Sequence, residues 1–160
     1  IPQSTLADFA KLRPYDLIIV HYGLNVAVSG NPKNIIQNYA RNMGKVVAHL
    51  RQAFPETSIL VFSVPDHEQR GADGIKTLKE VHALVAFQQQ MAADKKVGFY
   101  NFFQAMGGEG ATRRLVERDM ANKDYTHLSY GGGKYVADKI YPSFKAGLKN
   151  YQRRIKLESQ

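Results

Sequence analysis

Two short apolar runs constrain the fold of this chain more than any other feature. They are Leu17-Ile18-Ile19-Val20-His21-Tyr22 and Ser58-Ile59-Leu60-Val61-Phe62-Ser63-Val64. A strand with one wet face alternates apolar and polar residues. A continuous, β-branched run instead fits a strand buried on both faces, as in a parallel sheet. Between the two runs, from Pro32 or Lys33 to about Ala53, Ile35, Ile36, Tyr39, Met43, Val46, Val47 and Leu50 recur with helical period, and Pro55 closes the segment. Strand, helix and strand in this order predict a crossover onto a parallel sheet.

The rest of the chain extends the pattern. Residues 3 to 13 read as the end of a helix stopped by Pro14. Val26 to Pro32 reads as a loop, and the polar stretch Glu68 to Gly74 as an exposed one. Thr77 to Ala93 has helical period, and Val97 to Asn101 is a third, shorter strand. Phe102 to Met106 fits a helical turn, Arg113 to Met120 a short helix and Tyr135 to Leu148 a last helix, with a charged tail, Lys149 to Gln160, expected to fray. The fold class is therefore α/β with a parallel sheet. Ligands of such sheets bind at the carboxyl ends of the strands. Gly23-Leu24-Asn25, Pro65-Asp66-His67 and Asn101 all fall at that edge, whereas His21, inside the first strand, reads as buried.

At 160 residues the chain is one domain, 1–160, and 44% apolar residues suffice for a packed core. The lack of cysteine excludes disulfides, thiolate metal sites and a cysteine nucleophile. A net charge of +8 favours anionic partners. The basic residues are dispersed, however, with local clusters at Arg113-Arg114 and from Lys145 to Lys156, and read as a solvated surface. No nucleic-acid partner is expected. No apolar run is long enough to span a membrane, and the first residues do not form a signal peptide. The first apolar strand should have neighbours on both sides, so the chain is expected to begin part-way through a domain.

Two stretches carry candidate chemistry. Asp124-Tyr125-Thr126-His127 places a carboxylate three residues before an imidazole and precedes Gly131-Gly132-Gly133. Such a carboxylate can fix the tautomer of a histidine that takes a proton from a nucleophile. Gly23-Leu24-Asn25 puts a carboxamide where the first strand leaves the sheet, and a carboxamide there can donate to a developing oxyanion. Taken singly, each has a plain alternative: capping and surface residues for the first, an ordinary turn for the second. Asp66 and His67 are candidates to line a substrate site, as is Asn101. They lack the nearby ligands that zinc needs.

In this order the two stretches resemble the third and fifth sequence blocks of the SGNH hydrolases, the GDSL-type esterases and acylhydrolases. The resemblance runs from about Asp16 to Leu148. It implies a flavodoxin-like three-layer αβα fold and a serine ester hydrolase acting through an acyl-enzyme, without metal or organic cofactor. His127 would be general base and then general acid, Asp124 its orienting partner, and Asn25 an oxyanion donor aimed by the turn at Gly23. The chain most resembles bacterial members that act on glycan esters, which implies an acylated small-molecule or glycan substrate, with acetyl as the candidate acyl group, and a periplasmic or secreted location. One departure is large. The family's Gly-Asp-Ser block, which carries the nucleophile, is missing. Ser63 reads as a core hydroxyl and Ser129 as a helix cap, and neither they nor Ser29 is nominated in its place. The chain is thus expected to be the C-terminal portion of such a domain, with the serine on an N-terminal segment or companion chain. The rival readings are a non-catalytic relative that binds a glycan or protein, and a basic module that binds nucleic acid.

Overall fold

The structure, a computed structural model, describes residues 1–158. Three parallel strands, β1 (Leu17–Val20), β2 (Ser58–Phe62) and β5 (Gly98–Tyr100), form a sheet in the order β1-β2-β5. Leu17 faces Ser58 and Val20 faces Val61 across the first pair, and Leu60 faces Gly98 across the second. Helix α1 (Gln3–Leu12) precedes β1. Helices α2 (Lys33–Ala53) and α3 (Lys79–Asp94) make the crossovers, and α4 (Phe102–Met106), α5 (Ala111–Val116) and α6 (Tyr130–Glu158) follow β5.

The two faces of β2 show why its run is continuous. Successive side chains of a strand point to opposite faces. Ile59 and Val61 pack with Val20, and with Met43, Val47, Met91 and Ala92 of α2 and α3. Leu60 and Phe62 pack on the other side with Phe102, Met106, Leu115, Val136 and Phe144 of α4, α5 and α6. Both faces are thus covered at β2, which gives three layers. A further cluster, with Ile36, Val64, Val81, Leu84 and Phe103, seals the layers near the carboxyl ends of the strands.

Strand β1 is different. It forms one edge of the sheet, β5 forming the other, and one of its faces is bare. Val20 is buried under α2 and α3, but Leu17 and Ile19 point to the other face and are 42% and 49% exposed. His21 lies just beyond the strand and is exposed rather than buried, with its ring against those of Phe62 and Phe102. Its pKa is lowered by partial desolvation.

Two other expectations are corrected. The stretch read as a loop from Glu68 to Gly74 is a two-stranded antiparallel hairpin, β3 (Glu68–Gly71) and β4 (Gly74–Thr77), turning at Ala72-Asp73. The last helix begins at Tyr130, five residues early, and continues through Pro142 to Glu158. The tail 149–160 is therefore helical as far as it is described, and residues 159–160 lie outside the described residues. Among the described residues no helix is long and apolar enough to cross a membrane.

Candidate active site

The loop between α5 and α6 positions Asp124 and His127. A bridge between Ala121 and Leu128 closes its neck. Asn122 N–H donates to the His127 carbonyl at 2.8 Å and Ser129 N–H to the Met120 carbonyl at 3.0 Å. Tyr125, with φ 56°, turns the chain at the tip, and its N–H reaches the Asn122 carbonyl at 3.0 Å. The Ser129 hydroxyl accepts from Gly132 N–H at 3.2 Å and so caps α6, as expected. Of the three consecutive glycines, Gly132 is the one the fold requires. A Cβ there would lie 1.7 Å from the Met120 carbonyl oxygen, whereas one at Gly133 would meet nothing.

Within this loop Asp124 binds the histidine twice. Its Oδ2 lies 2.8 Å from His127 Nδ1, and its Oδ1 accepts from the N–H groups of His127 and Thr126 at 3.0 and 2.9 Å. The His127 backbone bond, its ring and the Thr126 bond hold the carboxyl at about 2. An ionised carboxylate only accepts, so His127 Nδ1 carries a proton, and in the neutral imidazole the lone pair is on Nε2. The two side chains are 74% and 48% exposed, His127 the more so. Nε2 makes no hydrogen bond among the described residues and is open to an incoming group.

Asn25 sits in a 3-10 turn, Leu24–Val26, at the end of β1. It is exposed, and its carboxamide makes no hydrogen bond among the described residues. Gly23 opens the turn with φ 122°, a conformation that side chains disfavour. The turn is anchored from below by Gln88, which sequence reasoning missed. Gln88 is fully buried. Its Oε1 accepts from Val64 N–H at 3.0 Å and its Nε2 donates to the Tyr22 carbonyl at 3.2 Å, joining the ends of β2 and β1. A signal was present: Val81, Leu84, Val85, Gln88 and Met91 form one buried stripe of α3, in which an amide is the odd member.

The remaining candidates separate. Asp66 is fully buried and does not line a cleft, contrary to expectation. Its carboxylate accepts from the Thr77 hydroxyl at 2.7 Å and from Thr112 N–H at 2.9 Å, fastening β4 and the start of α5. Asn101 caps α4, accepting from Gln104 N–H at 3.0 Å, so its side-chain oxygen serves the helix rather than a cleft. His67 is half-buried, with Nδ1 3.2 Å from the Ala27 carbonyl. It does line an open cleft of about 570 Å³ that also has Asp124 and Tyr125 in its wall. Glu68 N–H donates to the Tyr125 carbonyl at 3.2 Å, tying the hairpin to the Asp124 loop. Ser63 is fully buried, accepting from Phe103 N–H at 3.1 Å and donating to the Val64 carbonyl at 3.2 Å, and it has no access to His127 through solvent.

No protein-family model and no curated relative matches this sequence. Solved structures do match. A peptidoglycan O-acetylesterase superposes with a TM-score of 0.79 at 23% identity, over 92% of this chain and 41% of that one. The periplasmic domain of a lipopolysaccharide acetyltransferase from Salmonella ser. Paratyphi A gives 0.56 at 9% identity, over 86% and 60%. A protein described as a GDSL-like lipase from Parabacteroides merdae gives 0.54 at 13% identity, over 87% and 66%. The chain thus spans about two fifths of the first structure and about two thirds or less of the others. Its fold is SGNH hydrolase-like.

Proposed function

We propose that this chain supplies the base, its orienting carboxylate and one oxyanion donor of a serine ester hydrolase that removes acyl groups, with an acetylated glycan as the leading substrate. The observation that carries this reading is the 2.8 Å contact between ionised Asp124 and His127 Nδ1, which turns Nε2 outward without a hydrogen bond among the described residues. A serine hydroxyl placed at Nε2 would lose its proton to the imidazole as its oxygen attacks the ester carbonyl. The Asn25 amide would donate to the oxyanion of the tetrahedral intermediate. The imidazolium would then protonate the departing alcohol, and water, activated by the same nitrogen, would release the acid.

The serine would come from a segment outside these 160 residues. We place that segment on the free edge of β1, as a further parallel strand, with apolar residues over Leu17 and Ile19. Three features support this: the open edge, the exposed apolar face, and the longer chains of proteins that share the fold. An acylated glycan substrate would accord with a periplasmic or secreted setting. The test is fluorophosphonate labelling of the complete domain, followed by intact-mass analysis and acetyl-ester turnover. A serine of the added segment should take the label. His127→Ala should lower kcat/KM by about 10³-fold or more, and Asn25→Ala by about 10²- to 10³-fold. Near-normal turnover in His127→Ala would refute the assignment of the base; no label and no turnover in the complete domain would leave a binding domain as the better reading.

A further inference from the structure

The cleft beside the Asp124 loop is lined by His67 and residues of β3 together with Val28 and Ser29. Its lining includes four charged side chains: Arg70, Lys123, Glu68 and Asp124. Of the acids, Asp124 is already committed, and Glu68 is buried and bound through one oxygen. Asp124 is held by His127 and two N–H groups. Glu68 is buried, with Oε2 accepting from Arg113 N–H, and desolvation raises its pKa toward the neutral form. Its Oε1 is buried without a hydrogen-bond partner among the described residues. The cations are not committed. Arg70 and Lys123 are exposed and make no ion pair or side-chain hydrogen bond among the described residues. Ser29 and Gln69 add polar groups to the lining. A cleft of this size suits a small ligand or one residue of a longer one. The charges left for that ligand are both positive, and a guanidinium fork matches the paired oxygens of a carboxylate or phosphate.

We propose that this cleft is a subsite for an anionic oxygen group carried by the substrate, and that Arg70 and Lys123 hold it. That the ligand is also an acyl ester rests on the function proposed above; that the cleft takes an anion does not. Asp124 belongs both to the cleft wall and to the histidine pair, so a group seated there would leave a neighbouring ester near His127. The subsite would then select esters on acidic sugars over esters on neutral ones.

Binding tests this without any turnover. Methyl glucuronoside, methyl glucoside and methyl glucoside 6-phosphate differ only at one carbon, and each can be titrated into the labelled 160-residue chain by NMR. At least one anionic sugar should bind about tenfold more tightly than the neutral one, as expected of one charge-assisted hydrogen bond. Shifts should centre on Gln69, Arg70, Lys123 and Tyr125, and the tighter of the two anions identifies the group. The preference should vanish in Arg70→Gln/Lys123→Gln. It should survive in Lys149→Gln/Lys156→Gln, which removes the same net charge elsewhere. Equal titration by all three sugars, no binding by any, or a preference that persists in the first double variant would overturn the proposal. Both pairs of substitutions are at exposed positions, so folding is preserved in the comparison. Charge-selective binding without hydrolysis would leave the subsite standing and remove the esterase; hydrolysis without charge selection would do the reverse.

Discussion

Asp124 does two things with one carboxylate. Oδ1 shapes the loop through the N–H groups of Thr126 and His127, and Oδ2 sets the imidazole. The pH dependence of that double role follows from its pKa of about 2. A depressed carboxyl favours the folded loop above its unfolded value, about 3.9, and that contribution is lost as pH falls through about 2. Carbon NMR should therefore find Asp124 titrating near pH 2. In His127→Ala the ring bond is removed but both backbone donors stay. The Asp124 midpoint should rise and still lie below that of an ordinary aspartate. A return to the ordinary value would mean that the ring alone holds it down, and that the backbone cradle has dissolved.

At the scale of elements, the glycine run shows how a local requirement shapes a site. Only Gly132 lies against backbone, at the Met120 carbonyl, where α6 meets the neck of the Asp124 loop. Gly132→Ala must push the helix and the loop apart, and should cost about 3 kcal/mol, the upper part of the range for overpacking, because backbone cannot yield as a side chain does. Gly133→Ala meets nothing and should be neutral or stabilising by up to about 1 kcal/mol, as expected for a helical position. Urea denaturation of the two variants decides this; equal stabilities would mean that the neck is not the fixed point described. Elements built on burial were legible in the sequence: β2, β5, α2 and α3 lie close to where their apolar periods put them. The β3–β4 hairpin was not, because Glu68-Gln69-Arg70-Gly71 and Gly74-Ile75-Lys76-Thr77 hold together mainly by backbone pairing and show no apolar alternation. The site divides in the same way. The spacing of Asp124 and His127 encodes a local contact that survives folding, and Gly23-Asn25 encodes a turn. Asp66, by contrast, is indistinguishable in sequence from a cleft acid, and only the distant Thr77 and Thr112 make it a buried anchor. The cleft cations Arg70 and Lys123 lie on different elements, and no sequence pattern joins them.

For the whole molecule, the asymmetry of the sheet is the dominant fact. β2 is covered on both faces, whereas β1 has one free edge and one bare face. An open trough of about 1370 Å³ lies toward the start of the strands, with Leu17, Leu60, Tyr100, Phe144, Leu148 and Tyr151 in its wall. An apolar parallel edge of this kind invites pairing with whatever strand is present. If the serine-bearing segment is its intended occupant, a charge on the bare face should separate two behaviours that otherwise go together. Ile19→Asp should make the isolated 160-residue chain less prone to associate, since it places a carboxylate at a half-exposed apolar position without disturbing Val20 beneath α2 and α3. The same change should prevent an added serine-bearing segment from restoring ester hydrolysis, because docking would now bury an unpaired charge. Hydrogen exchange gives an independent view: alternate β1 amides should exchange freely in the isolated chain and become protected only when the segment is bound to the unmodified one. If Ile19→Asp supports activity as well as the parent chain does, the nucleophile reaches His127 from somewhere other than the β1 edge, and the sheet is already as wide as its chemistry requires.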